Sequence, residues 1–176
     1  MVLVAGAVPG CALQPLYAGG QHGAVGTTLA SISVAPISGE AGWLVRGALR
    51  DRLRAAGDGE RTRYRIDVRL DDEITGFGVR TNDSITRERR TLRARWQLVD
   101  STTGQALIDD SAGSDAGIDA VGSEYATIAA ERSALERLSQ AVADQIVARI
   151  AVYARNPAAA PTVTPAPTAT ATPSPR

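Results

Sequence analysis

Cysteine and histidine, which often act as nucleophiles or metal ligands, occur once each in this chain, as Cys11 and His22. A single cysteine cannot form an internal disulfide bond, and these two residues cannot supply the four ligands of a tetrahedral metal site. Both lie in an N-terminal stretch without the apolar periodicity of a core, so no predicted element fixes their geometry for nucleophilic catalysis. The sequence therefore predicts no metal site, no cofactor and no enzymatic activity.

The residues around Cys11 indicate lipidation instead. Residues 1–10 are apolar and small, like the end of a signal-peptide hydrophobic region, although they lack its basic first part. Val8-Pro9-Gly10-Cys11 is similar to a lipobox, in which a small residue permits cleavage and the thiol receives a diacylglyceryl group. Val8 and Pro9 depart from the usual pattern, and an incidental or buried cysteine is the alternative. We predict a signal-peptide remnant at 1–10 and a lipidated, glycine-rich tether at 11–26.

Arginine supplies all 19 basic residues of the chain, and 19 acidic residues balance them. The guanidinium group is always charged, and its planar fork binds phosphate or carboxylate through two parallel hydrogen bonds. Zero net charge, an export signal and the lack of aromatic residues on the predicted arginine-bearing faces argue against a nucleic-acid partner. The arginines are therefore candidates for binding a smaller anionic group.

Five of these arginines are predicted to share one face of a sheet. They alternate with other residues on two predicted strands and are Arg63, Arg65, Arg69, Arg93 and Arg95. Four further cations are expected in the loop between those strands and could add to the site: Arg80, Arg87, Arg89 and Arg90. The alternative is an ordinary solvated face with local acidic partners, for which the candidates are Asp67, Asp71, Asp72 and Glu88. The same face could instead contact a partner protein.

Apolar periodicity predicts the elements that carry these residues. Alternation predicts strands at 32–34, 63–70, 92–98 and 105–118, with a loop around 76–83, and three-and-four spacing predicts helices at 40–56 and 123–155. The last helix has an apolar stripe from Ile128 to Tyr153. The simplest fold is a two-layer α+β sandwich over 27–155, a four-stranded mixed sheet with both helices on one face, in the order β-α-β-β-β-α.

The remaining segments lack the pattern of a packed core or a membrane span. Residues 156–176 are almost entirely Pro, Ala, Thr, Val and Ser, which predicts disorder. No stretch approaches the roughly 20 apolar residues of a transmembrane helix. Membrane attachment would therefore depend on the lipid anchor or on a partner.

Four segments together resemble the LptE family of lipopolysaccharide-assembly lipoproteins, in its alphaproteobacterial branch. Residues 11–17 (Cys-Ala-Leu-Gln-Pro-Leu-Tyr) are similar to the start of the mature family members. Residues 93–100 (Arg-Ala-Arg-Trp-Gln-Leu-Val-Asp), leading to Thr103-Gly104, are similar to a family strand and turn. Residues 123–131 (Ser-Glu-Tyr-Ala-Thr-Ile-Ala-Ala-Glu) and 150–153 (Ile-Ala-Val-Tyr) match the two ends of the last helix.

The resemblance implies a role without catalysis at the periplasmic face of the outer membrane. Family members plug the β-barrel lipopolysaccharide transporter, of the LptD type, assist its assembly and bind lipopolysaccharide during export. The implied partners are that barrel, lipopolysaccharide and the membrane that receives the acyl chains, palmitate among them. Lipopolysaccharide phosphates would be the ligands of the five-arginine face. The alternative is an accessory lipoprotein of another envelope lipid-transport system of the ABC type.

Overall fold

The computed structural model describes residues 23–57, 62–79, 85–119 and 123–156. Its elements, in chain order, are α1 (Ala24–Ala30), β1 (Ile32–Val34), α2 (Gly39–Ala55), β2 (Tyr64–Val79), β3 (Ile85–Asp100), β4 (Ala106–Asp119) and α3 (Glu124–Arg155). Cys11, the signal-peptide remnant, most of the tether and residues 157–176 lie outside the described residues. Lipidation and tail disorder therefore stay predictions.

A single sheet in the order β1-β2-β3-β4 forms the first layer. β1 runs parallel to β2, whereas β2, β3 and β4 pair antiparallel. The parallel pair follows from the α2 crossover, and the two antiparallel pairs follow from direct connections between consecutive strands. This confirms the predicted four-stranded mixed sheet and its α+β class.

The helices α2 and α3 form the second layer, on one side of the sheet. α2 buries residues at three-and-four spacing, among them Val45 and Leu49. Gly42 lets the start of α2 approach the preceding turn, because a Cβ there would lie 2.7 Å from the Ile37 carbonyl oxygen. α3 packs along β3 and β4 and buries a stripe that includes Leu138 and Ile146.

The core lies between these two layers. Each of β2, β3 and β4 contributes alternate residues to it, and Ile66, Leu98 and Ile108 stand side by side across the three strands. Trp96 fills the largest fully buried position. A register shift at Leu98/Val99 allows both of these neighbouring residues to be buried.

Three features differ from the sequence-based expectation. Helix α1 precedes β1 and begins at Ala24, inside the predicted tether, with Val25 and Leu29 buried. Seven residues are too few to establish a helical period in the sequence, so packing against α3 reveals what periodicity could not. Ile128 is 54% exposed and does not continue the apolar stripe of α3, because it lies in the first turns, outside the core cluster.

The third difference concerns the expected loop around 76–83. β2 continues to Val79 and β3 begins at Ile85, so Gly76 and Phe77 belong to a strand. The two strands pair over this whole length, and ladder hydrogen bonds override the local preference of glycine for turns. The long pairing also places residues 87–90 within β3, where the sequence had indicated a loop.

Candidate functional site

The side of the sheet away from the helices, called the open face below, carries the predicted arginine positions of β2 and β3. Alternation places Arg65 and Arg69 on this side, since Ile66 between them is buried towards the helices. Arg93 and Arg95 follow the same rule on β3, where Leu92, Ala94 and Trp96 are buried. The predicted grouping of these four arginines on one face is therefore correct in the structure.

Arg63 lies just before β2 and belongs to the margin of this face. Its guanidinium carbon lies 5.2 Å from the ring centre of Tyr64, and its Nε is 3.9 Å from Asp100 Oδ2. Asp100 also accepts hydrogen bonds from the N–H groups of Thr102 and Thr103. These contacts, above all the Thr102 N–H, lower the pKa of Asp100 below its ordinary value. Arg63 is thus tied to the turn after β3.

Two further members of the predicted set have acidic partners on the open face. Arg65 Nε lies 2.9 Å from Asp67 Oδ1, and this hydrogen bond raises the pKa of Arg65. Arg95 Nε lies 2.7 Å from Asp109 Oδ1 on β4. The close contact with the Arg95 guanidinium, and after it the hydrogen bond from Gln97, lower the pKa of Asp109. For Arg65 and Arg95, the structure agrees with the alternative of a solvated face with local acidic partners. Asp109 was not among the acidic partners expected from the sequence.

Arg69 and Arg93 differ, because neither forms an ion pair within the described part of the chain. Arg69 stands directly opposite Arg95 across the β2–β3 ladder, and Arg93 stands opposite Asp71. Like charges on facing strands repel each other, so this arrangement costs some stability. Arg69, Arg93 and Arg95 form the arginine cluster of the open face, which offers several guanidinium groups within one small area.

The remaining cations divide between the two sides of the sheet. On the open face, Arg87 pairs with Asp119 at 3.2 Å, and Arg89 lies 3.9 Å from Asp115 and 5.5 Å from the ring centre of Phe77. On the open face, all three acidic partners that the structure describes for β3 arginines come from β4. Positions 109, 115 and 119 are separated by even numbers of residues, so the sequence could have indicated that these three carboxylates share one side of β4. Arg80 lies outside the described residues.

Arg90 was expected among the loop cations, and that expectation is wrong. It lies on β3 and points to the helix side of the sheet, where its side chain is 12% exposed. Its Nε and Nη2 donate to Asp72 at 2.8 and 2.6 Å, and Nη1 donates to the Glu131 carbonyl oxygen of α3 at 3.1 Å. The hydrogen bonds to Asp72 are the main reason that the pKa of Arg90 is raised. Arg90 joins β2, β3 and α3.

The open edge of β4 is partly covered by side chains of α3. The Gln145 amide accepts a hydrogen bond from Gly113 N at 3.1 Å and donates one to Gly113 O at 3.0 Å, as a neighbouring strand would. Arg149 Nε donates to Asp110 Oδ2 at 2.9 Å. These contacts protect an edge that could otherwise pair with another strand. Nothing in the local sequence indicates them, because they join residues 32 and 39 positions apart.

Two possible site types have no representative in the described ranges. No group of three or more His, Cys, Asp or Glu residues there could hold a metal ion. Among the helices that the structure describes, none combines the length and the apolar character needed to cross a bilayer.

A family model for LptE, described as lipopolysaccharide-assembly, matches residues 29–150. Comparison with curated protein sequences gives no significant match. A solved structure of a candidate lipoprotein from Caulobacter crescentus superposes with a TM-score of 0.60 at 25% identity, covering 75% of this chain and 96% of that one.

Two other solved structures share the fold. Uncharacterized lipoprotein B from Nitrosomonas europaea gives a TM-score of 0.54 at 13% identity, over 73% of this chain and 90% of that one. Rare lipoprotein B from Shewanella oneidensis gives 0.51 at 14% identity, over 71% and 96%. At such identities the likeness concerns the fold alone.

Proposed function

The chain belongs to the LptE family of lipopolysaccharide-assembly proteins, and on this premise we propose that it is an outer-membrane lipoprotein that binds lipopolysaccharide through its open face. In this proposal it plugs the β-barrel lipopolysaccharide transporter from the periplasmic side and assists barrel assembly. The proposed role is binding and assembly without catalysis. The observation that carries the binding proposal is the arginine cluster of Arg69, Arg93 and Arg95.

The chemistry of the cluster suits phosphate better than it suits a neutral partner. Arg69 and Arg93 have no ion pair within the described part of the chain, so a phosphate would not have to displace a carboxylate from them. Each guanidinium can give two parallel hydrogen bonds to a phosphate. A phosphate between strands would also relieve the repulsion between Arg69 and the facing Arg95. Arg63 and Arg65 already have carboxylate partners, so we expect them to contribute less to phosphate binding than the cluster does.

The anchor and the location are proposals that rest on the sequence and the family. Acylation at Cys11 would attach the protein to the periplasmic face of the outer membrane, since two or more acyl chains give stable binding. Intact-mass measurement of protein from membranes should show an acylated N-terminal Cys11. Cys11→Ser should release the chain from membranes once the barrel partner is absent. An unmodified Cys11 thiol in the membrane-extracted protein would contradict this part.

Lipopolysaccharide binding can be tested with a matched pair of double variants. Arg69→Gln/Arg93→Gln removes two cluster charges, whereas Arg132→Gln/Arg137→Gln removes two exposed charges from α3, on the other side of the sheet. We expect the first to weaken lipopolysaccharide binding by about tenfold or more, because hydrogen bonds between charged groups are the stronger ones. The second should bind like the parent. Equal binding of the parent and the cluster variant would remove the open face as the lipid site.

The barrel partner needs a separate experiment, because the plug role does not depend on these arginines. The full chain, expressed with a lipopolysaccharide-transport barrel from the same cell, should co-purify with it in detergent. The runner-up role, accessory lipoprotein of an ABC-type lipid transporter, predicts co-purification with that transporter instead. The family match favours the lipopolysaccharide pathway.

A further inference from the structure

A second basic surface lies beside the edge strand β1, away from the open face. Here α2, β1 and the residues flanking them enclose a groove of about 370 Å³, called the α2–β1 groove below. Two arginines of α2, Arg50 and Arg54, stand one helical turn apart on its wall, and both are exposed. Ser33 and Thr62 also line it.

The backbone of β1 adds donors to this groove. Ser31 O accepts hydrogen bonds from Arg63 N and Tyr64 N, and Ala35 N donates to Ile66 O, so these residues turn their polar groups towards β2. Alternation then directs the N–H groups of Ile32 and Val34 to the outer edge of the sheet. No described strand pairs with that edge. Both residues line the groove. Each directs its N–H and its C=O group to this edge, and the two N–H groups are the ones that can donate to an anion.

The charges of this wall are not neutralised within the described residues. Among the described residues, the guanidinium groups of Arg50 and Arg54 have no hydrogen bond or ion pair, and Arg46, one turn earlier, has a buried Nε without an acceptor. Like charges at i and i+4 destabilise a helix by roughly 0.2–0.5 kcal/mol per pair. Most arginines of the open face have a carboxylate partner, whereas the guanidinium groups of Arg50 and Arg54 on α2 have none among the described residues. An anion between Arg50 and Arg54 would relieve the repulsion.

We propose that the α2–β1 groove is a binding site for a phosphate group. Arg50 and Arg54 would provide the charged hydrogen bonds, and the N–H groups of Ile32 and Val34 would complete the shell, as backbone donors do in other phosphate sites. The volume leaves room for part of the molecule that bears the phosphate. The site is separate from the open face, and the proposal does not depend on the function proposed for that face.

The direct test is a titration of the full chain, as Cys11→Ser, with inorganic phosphate at constant ionic strength. Amide NMR signals of Ile32 and Val34 should shift and saturate with phosphate but not with chloride. Arg50→Gln/Arg54→Gln should raise the Kd by about tenfold or more, since two charge-assisted hydrogen-bond donors are lost. Arg50→Lys/Arg54→Lys keeps the charge and should retain part of the affinity, which separates charge from folding effects.

Arg132→Gln/Arg137→Gln serves as the control for net charge, because it also removes two positive charges, but from α3, and should bind phosphate like the parent. Absent or non-saturating shifts at Ile32 and Val34 would overturn the proposal. Equal losses in the control and in Arg50→Gln/Arg54→Gln would overturn it too, since binding would then follow net charge rather than this groove.

The source of the phosphate is resolved by three further probes. Phosphatidylcholine vesicles with phosphatidylglycerol test a membrane headgroup, lipopolysaccharide micelles test its sugar phosphates, and glycerol phosphate tests a soluble ester. The probe whose binding is lost in Arg50→Gln/Arg54→Gln but kept in Arg69→Gln/Arg93→Gln is the ligand of the α2–β1 groove. If every probe loses affinity equally in both variants, the groove is not a distinct site and the proposal fails.

Discussion

Strand β3 has two sides that obey different physical rules. Towards the helices, Leu92 and Trp96 are almost completely buried and pack into the core. Towards the open face, Arg93 and Arg95 alternate with them and remain in contact with solvent. Burial of apolar area on one side stabilises the fold, and this leaves the other side free to carry charge at little cost. The helix side of β3 thus contributes to stability, and its open side is available for recognition.

The arginines of β3 show what this difference means for a charge. Arg90, on the helix side, has a bidentate carboxylate partner and a carbonyl acceptor, because a charge that is largely shielded from solvent is costly to leave without partners. Arg93, three residues further along β3 and on the other side of the sheet, has no ion pair in the described part of the chain. Water hydrates its exposed guanidinium group, so its charge needs no protein partner and remains available to a ligand. Burial decides which arginines must be paired.

The strongest test of the comparison places a carboxylate on each side of β2 at neighbouring positions. Ile66→Asp would bury an unpaired charge at a fully buried position, and we expect a loss above about 4 kcal/mol, enough to prevent folding. Arg65→Asp, one residue earlier on the open face, should remain folded. Circular dichroism with urea denaturation measures both. Cooperative unfolding of Ile66→Asp near the parental midpoint would show that the two sides do not differ as described.

The next test removes one arginine from each side of β3. Arg90→Gln leaves Asp72 without its partner, in a contact whose two side chains are only 12% and 24% exposed, and should lower the free energy of unfolding by about 2–3 kcal/mol. Arg89→Gln, on the open face, removes a solvent-screened contact and should cost about 0.5 kcal/mol or less. Urea denaturation gives the loss in free energy of unfolding for each variant from the shift in its midpoint, provided that the m-values are equal. Similar losses in both variants would contradict the idea that burial sets the importance of each pair.

A pH titration examines the paired part of the open face. The pKa of Asp109 lies below its ordinary value of 3.8, mainly because of its close contact with the Arg95 guanidinium. A lowered folded pKa means that the pair stabilises the protein above pH 3.8 and that this stabilisation is lost as pH falls through the lower folded pKa. Arg95→Gln should flatten this part of the profile of unfolding free energy against pH. An unchanged slope in Arg95→Gln would argue against the pair.

The smallest expected effect has the opposite sign. Arg69→Gln removes repulsion from the facing Arg95, so the free energy of unfolding should rise slightly, by roughly 0.2–0.5 kcal/mol. Thermal melting at low salt gives the best resolution, and the gain should shrink as salt screens the charges. A loss of stability beyond that range would mean that Arg69 supports the fold, which would weaken its assignment to a ligand site.

Much of the fold was predictable because strong periodicity records burial directly. The alternation at Tyr64, Ile66 and Val68 placed β2, and the spacing from Leu135 to Ile150 placed α3. Helix α1 was missed because its few residues contain no repeated period. The ends of β2 and β3 were missed because residues such as Gly76 are held in the strand by pairing, which the local sequence does not record.

For the candidate site, the sequence by itself determined which arginines of each strand share a side, because side chains alternate in a strand with a period of two residues. It also determined that Cys11 is the candidate anchor, which the described residues do not test. Only the tertiary structure decided which arginines have partners: Asp109 reaches Arg95 from β4, and Asp72 holds Arg90 on the other side. Register and layer packing bring residues distant in the chain into contact, and no local pattern encodes that pairing.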